Sequence, residues 1–280
     1  MKKMSTIRNP VVRKILTFFK ISKYAWKGIE VRDKWLSFLL AALSVTGVHR
    51  VGLRLWFIRR ISALARNNEI VLRIICFDNP LVFNMRAGNE GDYLIGGELV
   101  SGDYGLPDFL PQRIVDGGAH IGKFSIYAGL QFPKADLVCY EPSSENYQFL
   151  QKNLLANNVK AVTHNKGLWS KEVTLYFQKG LFSGIGMITE TGPGEPIPCD
   201  LPKIGANCWL KLDIEGSEYE VLPALFKLKE YPRWISMELH YFNTKGNKLL
   251  DLLRAHGYSI VGGDDPNLDC VIIAAYRSGT

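Results

Sequence analysis

An α/β fold on a mostly parallel, Rossmann-like sheet of seven strands, with an antiparallel terminal strand, is predicted by three features of this chain. Short apolar segments alternate with amphipathic helical ones from residue 113 onward. The first apolar segment runs straight into a glycine turn and a helix, RIVDGGAHIG-KFSIYAGLQF. Two apolar segments, YSIVGG and LDCVIIAAY, then follow each other without a helix between them, which makes the sheet end on an antiparallel pair.

Before this pattern lies a different kind of sequence. Residues 1–85 are predicted to form a basic, partly apolar helical N-terminal extension, and residues 86–280 the main domain. Residues 1–66 hold fifteen Lys and Arg against two acids, Glu30 and Asp33, a net +13 in a chain whose total is +7, so the remainder is acidic. Such asymmetry points to an anionic partner for the arm. The uncharged run WLSFLLAALSVTGV (35–48) would span roughly 21 Å as a helix at ~1.5 Å per residue, short of the ~30 Å hydrocarbon core of a bilayer. The cations that follow, His49, Arg50, Arg54, Arg59 and Arg60, are mixed with Val, Leu, Trp and Phe, which suits a helix lying in the membrane interface. The competing expectation is a helix that packs its apolar face on the main domain. An anionic membrane surface is the expected partner of residues 1–66, and nucleic acid is disfavoured because no aromatic-studded strand motif accompanies the charge. A secretory signal is disfavoured by the long charged stretch before the apolar run. Five scattered cysteines without a C-x-x-C pair argue against zinc and against a disulfide framework, and fit a reducing cytoplasm. The expected location is therefore cytoplasmic, with peripheral attachment to the inner membrane face.

The elements of the main domain follow in order. After the first strand and helix, DLVCYE forms the second strand and ends in Glu141. SSENYQFLQKNLLANN is a helix with Ser143 as N-cap and Asn157-Asn158 as its stop. VKAVTHN (159–165) is the third strand, and EVTLYFQ (172–178) an additional one. Residues 179–206, rich in Gly and Pro, are expected to form a loop that covers the substrate. CWLKLDIEGSE (208–218) is a strand ending in a carboxylate cluster, RWISMELH (233–240) the next strand, and each leads into a helix.

The glycine turn carries the functional argument. Glycines allow the backbone to approach a ligand where a Cβ would block it, and Glu141 at the tip of the neighbouring strand is placed to accept ribose hydroxyls. The nearest dinucleotide pattern, Gly117-x-Ala119-x-x-Gly122, has Ala at the close-approach position, and Asp116 directly precedes it. A carboxylate there suits a cationic ligand better than a pyrophosphate. The spacing Asp116-x-Gly118-x-x-x-Gly122 resembles the first motif of S-adenosylmethionine-dependent methyltransferases, with S-adenosyl-L-methionine as the implied cofactor.

Four blocks, VDGGAHIGKFSIYA, YEPSSENYQFLQKNL, LKLDIEGSEYEVL and SMELH, resemble in this order those of the FkbM family of methyltransferases. The likeness covers about residues 90–276 and implies a class I methyltransferase fold and O-methylation of a saccharide, glycolipid or related hydroxyl. It implies cofactor contacts from Asp116, Gly117, Gly118, Ala119, His120, Gly122 and Glu141, with Asn165 and Gly167 near the adenine. Two departures stand out. His120 replaces the family's usual Asn, and PIPCDLPKIGAN is a shortened form of its usual stretch before the fourth strand.

Methyl transfer to a hydroxyl needs collinear donor and acceptor and a group to take the proton. His240 and Asp213, each at a strand end, should face the acceptor, with His240 as general base. Asp213 and Glu215 are expected to bind hydroxyls, orient that histidine or hold a cation. Lys211 is expected to pair with a carboxylate. Glu218 and Glu220 are expected on the solvated surface of the following helix. Glu98 and Tyr104 precede the first strand, where many methyltransferases cap the cofactor. Alternatives are an N-methyltransferase of protein or nucleic acid, disfavoured by DIEG after the fourth strand; a non-catalytic binding module of this fold; and a nicotinamide-dependent oxidoreductase, disfavoured by Asp116.

Overall fold

The structure is a computed structural model and describes residues 27–44, 51–76, 79–101, 106–180, 186–205, 207–263, 265 and 267–277. The stretch 1–26, His49, Arg50, Tyr104 and the turn residues Asp264 and Pro266 lie outside the described residues. The chain divides into two compact units, Met1–Asp103 and Tyr104–Thr280.

In the first unit, helices α1 (Val31–Ser44), α2 (Val51–Ser62) and α3 (Glu90–Ser101) accompany an antiparallel hairpin of β1 (Glu69–Cys76) and β2 (Asn79–Arg86). The expectation of a purely helical extension is thus corrected at 69–86. EIVLRIIC alternates, burying Ile70, Leu72 and Ile74, which is a strand period. Of the apolar run at 35–48, Leu36, Leu40 and Leu43 are fully buried, against α3 and β1, and residues 45–48 lie outside the described residues. Arg86 grips the buried Asp92 through Nε at 2.8 Å and Nη2 at 2.6 Å. Glu98 is an exposed residue of α3.

The second unit holds the sheet that positions the site. Its strands are β3 (Arg113–Gly117), β4 (Asp136–Tyr140), β5 (Val162–His164), β10 (Cys208–Leu212), β11 (Trp234–Leu239), β12 (Ser259–Gly262) and β13 (Val271–Tyr276). They lie in the order β12-β13-β11-β10-β3-β4-β5. Five neighbours from β11 to β5 pair in parallel, and β13 runs antiparallel to both β11 and β12. Every residue of β10 is buried, as expected of a central parallel strand covered on both faces. The chain leaves β3 toward β4 on one side, and β10 later returns on the other. The carboxyl ends of β3 and β10 therefore form the switch-point crevice where open α/β sheets bind ligands.

Helices α4 (Lys123–Gln131), α5 (Ser144–Ala156), α6 (Glu218–Lys227) and α7 (Asn247–Ala255) connect these strands. Ser143 caps α5, its side chain accepting from the Asn146 amide, and Asn157 and left-handed Asn158 (φ 53°) end it, as the sequence predicts. A short π turn, Phe242–Gly246, opens the helix expected from residue 244.

The expected cover loop at 179–206 is not a loop throughout. Gly186–Thr189 (β8) and Glu195–Asp200 (β9) join β6 (Gly167–Leu168) and β7 (Val173–Lys179) in a four-stranded sheet ordered β6-β9-β7-β8. Ile197 and Cys199 turn inward against Leu175 and Phe177. Pro196 and Pro198 argue against a strand, but β6 pairs only with Cys199 and Asp200, so neither proline has to donate to β6.

Candidate active site

The glycine turn wraps around the end of β4. The amides of Gly118 and Ala119 both donate to the Tyr140 carbonyl, at 3.0 and 2.9 Å, and the His120 amide donates to Glu141 Oε2 at 2.8 Å. Gly118 has φ +74°, and a Cβ there would lie 1.9 Å from the Asp213 carbonyl oxygen. This is where β3 and β10 approach too closely for any side chain. His120 has φ 49°, a region in which Asn, Asp and His are enriched. A His at this position therefore keeps the turn. Gly118→Ala is expected to abolish binding of S-adenosylhomocysteine in calorimetric titration and to lower the melting temperature, because the clash is with backbone and no rotamer relieves it.

Asp116 lies beneath the turn. It is fully buried, accepts from Ser125 Oγ at 2.5 Å and pairs with Lys211 Nζ at 3.2 Å. Lys211 stands opposite Asp116 in register and donates to the carbonyls of Gly117 (3.2 Å) and Gly118 (2.8 Å). Burial alone would lower the Lys211 pKa, but Asp116 and Asp213 outweigh it and hold the ammonium charged. The expected pairing of Lys211 is present. Its consequence is that the Asp116 carboxylate is paired with Lys211 beneath the turn.

Glu141 joins the turn to α5. Besides His120, it accepts from the Ser143 amide (2.9 Å) and Asn146 Nδ2 (3.2 Å), and burial raises its pKa to about 7. Three donors leave roughly one of a carboxylate's four lone-pair sites for a ribose hydroxyl. Asn165 stands beside it, donating to the carbonyls of Glu141 (2.8 Å) and Pro142 (3.1 Å), and so belongs to the same rim. Gly167 belongs to the smaller sheet. It is buried, and a Cβ there would come 2.3 Å from Ile188, so packing by itself accounts for that glycine.

The second cluster sits past the ends of β10 and β11. His240 Nε2 is 3.2 Å from Glu215 Oε2, and Nδ1 is 3.4 Å from Glu218 Oε1. Asp213, 37 % exposed in its side chain, is the open edge of the group. Glu215 takes φ 53° in the turn before α6, which swings its carboxylate toward the histidine. The expectation that Glu218 is a solvated helix residue is corrected. It is fully buried, its Oε1 also accepts from the Ile214 amide at 3.0 Å, and its Oε2 has no hydrogen-bond partner among the described residues. A sequence signal existed, since α6 buries Val221, Leu222 and Leu225 and Glu218 sits one turn earlier on that stripe.

These contacts move the titrations. Burial depresses the His240 pKa, but Glu218 and Glu215 outweigh it and raise it to about 9. Burial raises Glu215 to about 7 despite His240, and Asp213, Glu238 and Glu218 add to the rise. At neutral pH His240 therefore keeps its proton, and the group poised near neutrality is Glu215 rather than the histidine. A folded-state pKa above the unfolded value of 6.5 gives stability that is complete below pH 6.5 and is lost as pH rises through 9. The melting-temperature gap between wild type and His240→Gln is expected to be widest below pH 6.5 and to close toward pH 9 in calorimetric scans.

Asp213, Glu215 and His240 also offer ligand atoms within 4.8 Å of one another, as do Glu238, His240 and Cys270. The first set is oxygen-rich, as a hard divalent cation requires.

Comparison with known proteins bears on this arrangement. The family described as "Methyltransferase FkbM domain" matches residues 201–260, the segment that carries Asp213, Glu215, Glu218 and His240. The chain is 25 % identical over 197 residues to 31-O-demethyl-FK506 methyltransferase FkbM of Streptomyces tacrolimicus, covering 55 % of this chain and 75 % of that one. A methyltransferase FkbM structure from Methylobacillus flagellatus is 18 % identical with a TM-score of 0.44, covering 67 % of this chain and 54 % of that one. A tRNA (uracil-54, C5)-methyltransferase from Pyrococcus abyssi, solved with S-adenosyl-L-homocysteine, is 16 % identical with a TM-score of 0.41, covering 75 % and 44 %. The chain thus spans about half the length of either solved structure. S-adenosylmethionine is the cofactor of methyltransferases of this kind, and the residues fit it. The turn excludes Cβ atoms at Gly118, and Glu141 keeps about one acceptor site at the neighbouring strand tip. The family match over the carboxylate–histidine segment and the 197-residue likeness to the Streptomyces enzyme both make the chain similar to FkbM methyltransferases.

Proposed function

We propose that the protein is an S-adenosylmethionine-dependent O-methyltransferase acting on a hydroxyl of a saccharide, glycolipid or related metabolite. The observation that carries the reading is His240 clamped between Glu215 and Glu218 at the carboxyl ends of β10 and β11. The relative from Streptomyces tacrolimicus is named for an O-demethyl substrate, which supports oxygen as the acceptor atom.

The cofactor would lie on the turn at Gly118–Gly122 with Glu141 at its ribose, and it supplies a methyl group made electrophilic by the adjacent sulfonium. The chain's own residues handle the acceptor. Asp213, at the open edge, accepts hydrogen bonds from acceptor hydroxyls. Glu215, with its pKa near neutral, takes the proton that leaves the reacting oxygen. His240 stays protonated and holds the Glu215 carboxylate in place. Glu218 acts one shell further out as a positioning residue. Its buried carboxylate, fixed by the Ile214 amide, orients the imidazole through Nδ1 so that Nε2 faces Glu215.

The test is calorimetric titration with S-adenosylhomocysteine, followed by transfer of labelled methyl from S-adenosylmethionine to a panel of saccharides, glycolipids and amines. Micromolar binding and label on hydroxyl acceptors are expected. A folded chain that binds no S-adenosylhomocysteine would overturn the reading, and so would label on amines alone.

A further inference from the structure

The first unit presents a surface that the site does not use. Helix α2 (Val51–Ser62) has an inner side, with Ile61 fully buried and Arg54 ion-paired to Glu90. Its outer side carries Val51, Leu53, Leu55 and Trp56, all exposed, Leu55 at 47 % and Trp56 at 48 %. In the last turn of the helix Arg59 and Arg60 are also exposed, and the Arg60 guanidinium lies 5.4 Å from the Trp56 ring centre. Trp35 of α1, 63 % exposed, adds a second outward indole in this unit. An ordered helix that keeps four large apolar side chains in water while a charged residue faces inward is unusual for a surface meant only for solvent.

We infer that the outer face of α2 docks on an anionic lipid surface. Charge selects the occupant: residues 1–66 carry a net +13, whereas the rest of the chain is acidic. The side-chain types select it further. Tryptophan has an apolar body and a polar N–H suited to the headgroup boundary, and arginines place an aliphatic stem in the boundary and a guanidinium among phosphates. Leu53, Leu55 and Val51 gain by leaving water for acyl chains, and they would gain nothing from a sugar–phosphate backbone. No described helix is long and apolar enough to cross a membrane. The structure also changes which segment is responsible. Within the described part of the uncharged run Leu36, Leu40 and Leu43 are occupied as core and Trp35 alone is exposed, so the docking residues are chiefly those of α2.

The experiment is cosedimentation of the full chain with phosphatidylcholine vesicles, with or without phosphatidylglycerol. Wild type is compared with Leu55→Glu/Trp56→Glu and with Arg59→Glu/Arg60→Glu. All four positions are exposed, so unchanged thermal melts are expected and confirm folding. Wild type is expected to pellet only with the anionic vesicles and to release at high salt. Each double variant is expected to lose about tenfold or more in partitioning. Failure of wild type to pellet, or undiminished binding of the Leu55/Trp56 variant, would overturn the inference. So would self-association in ultracentrifugation that the same variant abolishes without any vesicle binding, or tighter binding to a single-stranded oligonucleotide than to vesicles. None of these readouts depends on methyl transfer.

Discussion

Glu215→Gln is expected to lower kcat by about 10²–10⁴-fold, the usual worth of a positioned proton acceptor, with little change in affinity for S-adenosylhomocysteine. The amide keeps the size of the side chain and removes its capacity to take a proton. In wild type the rate is expected to rise with pH through an apparent pKa near 7, a value that belongs to the Glu215–His240 pair. In Glu215→Gln that limb disappears. Glu218→Gln supplies a second, separable readout. Without the buried negative charge His240 loses its main stabilising partner, so its pKa falls and the profile changes shape although the reacting residues are intact. A merely structural Glu218 would lower the melting temperature and leave the pH profile where it was. Histidine resonances titrated by NMR in the two variants would separate these cases directly.

Lys211→Met is expected to cost about 3–5 kcal/mol of unfolding free energy, because it leaves the fully buried Asp116 without its cation. The loss extends beyond the ion pair, since Lys211 also satisfies the carbonyls of Gly117 and Gly118. The variant is therefore expected to bind S-adenosylhomocysteine poorly even where it remains folded. Asp116→Asn/Lys211→Met removes both charges and is expected to recover part of the stability, as buried pairs replaced together are tolerated better than pairs broken. Urea unfolding of the three proteins measures the difference. If Lys211→Met costs less than about 1 kcal/mol, within the range of an exposed pair, the buried bridge does not hold the turn.

Several features were legible because they depend on residues adjacent in sequence. The turn at 113–122 needs glycine where φ is positive, and Gly118 and Gly122 are both in that region. The cap at Ser143 is a three-residue hydrogen bond, and the alternation of strands and helices leaves the parallel sheet little choice of topology. The reading of 179–206 as a loop failed because Gly and Pro signal local breaks. The strand there exists through its pairing with β7, a partner some twenty residues away in sequence.

The sequence by itself determined the fold class, the glycine turn and the identity of the residues at the strand ends, all of which follow from short-range pattern. Only the tertiary structure decided what those residues touch. It buried Asp116 as the partner of Lys211, and it took Glu218 off the surface and set it against His240. It raised His240 above neutrality and left Glu215 near it. The physical reason is that burial and charge proximity are set by elements distant in sequence. Asp116 and Lys211 are ninety-five residues apart and adjacent only because β3 and β10 pair in register, and no local pattern encodes the field in which a side chain titrates.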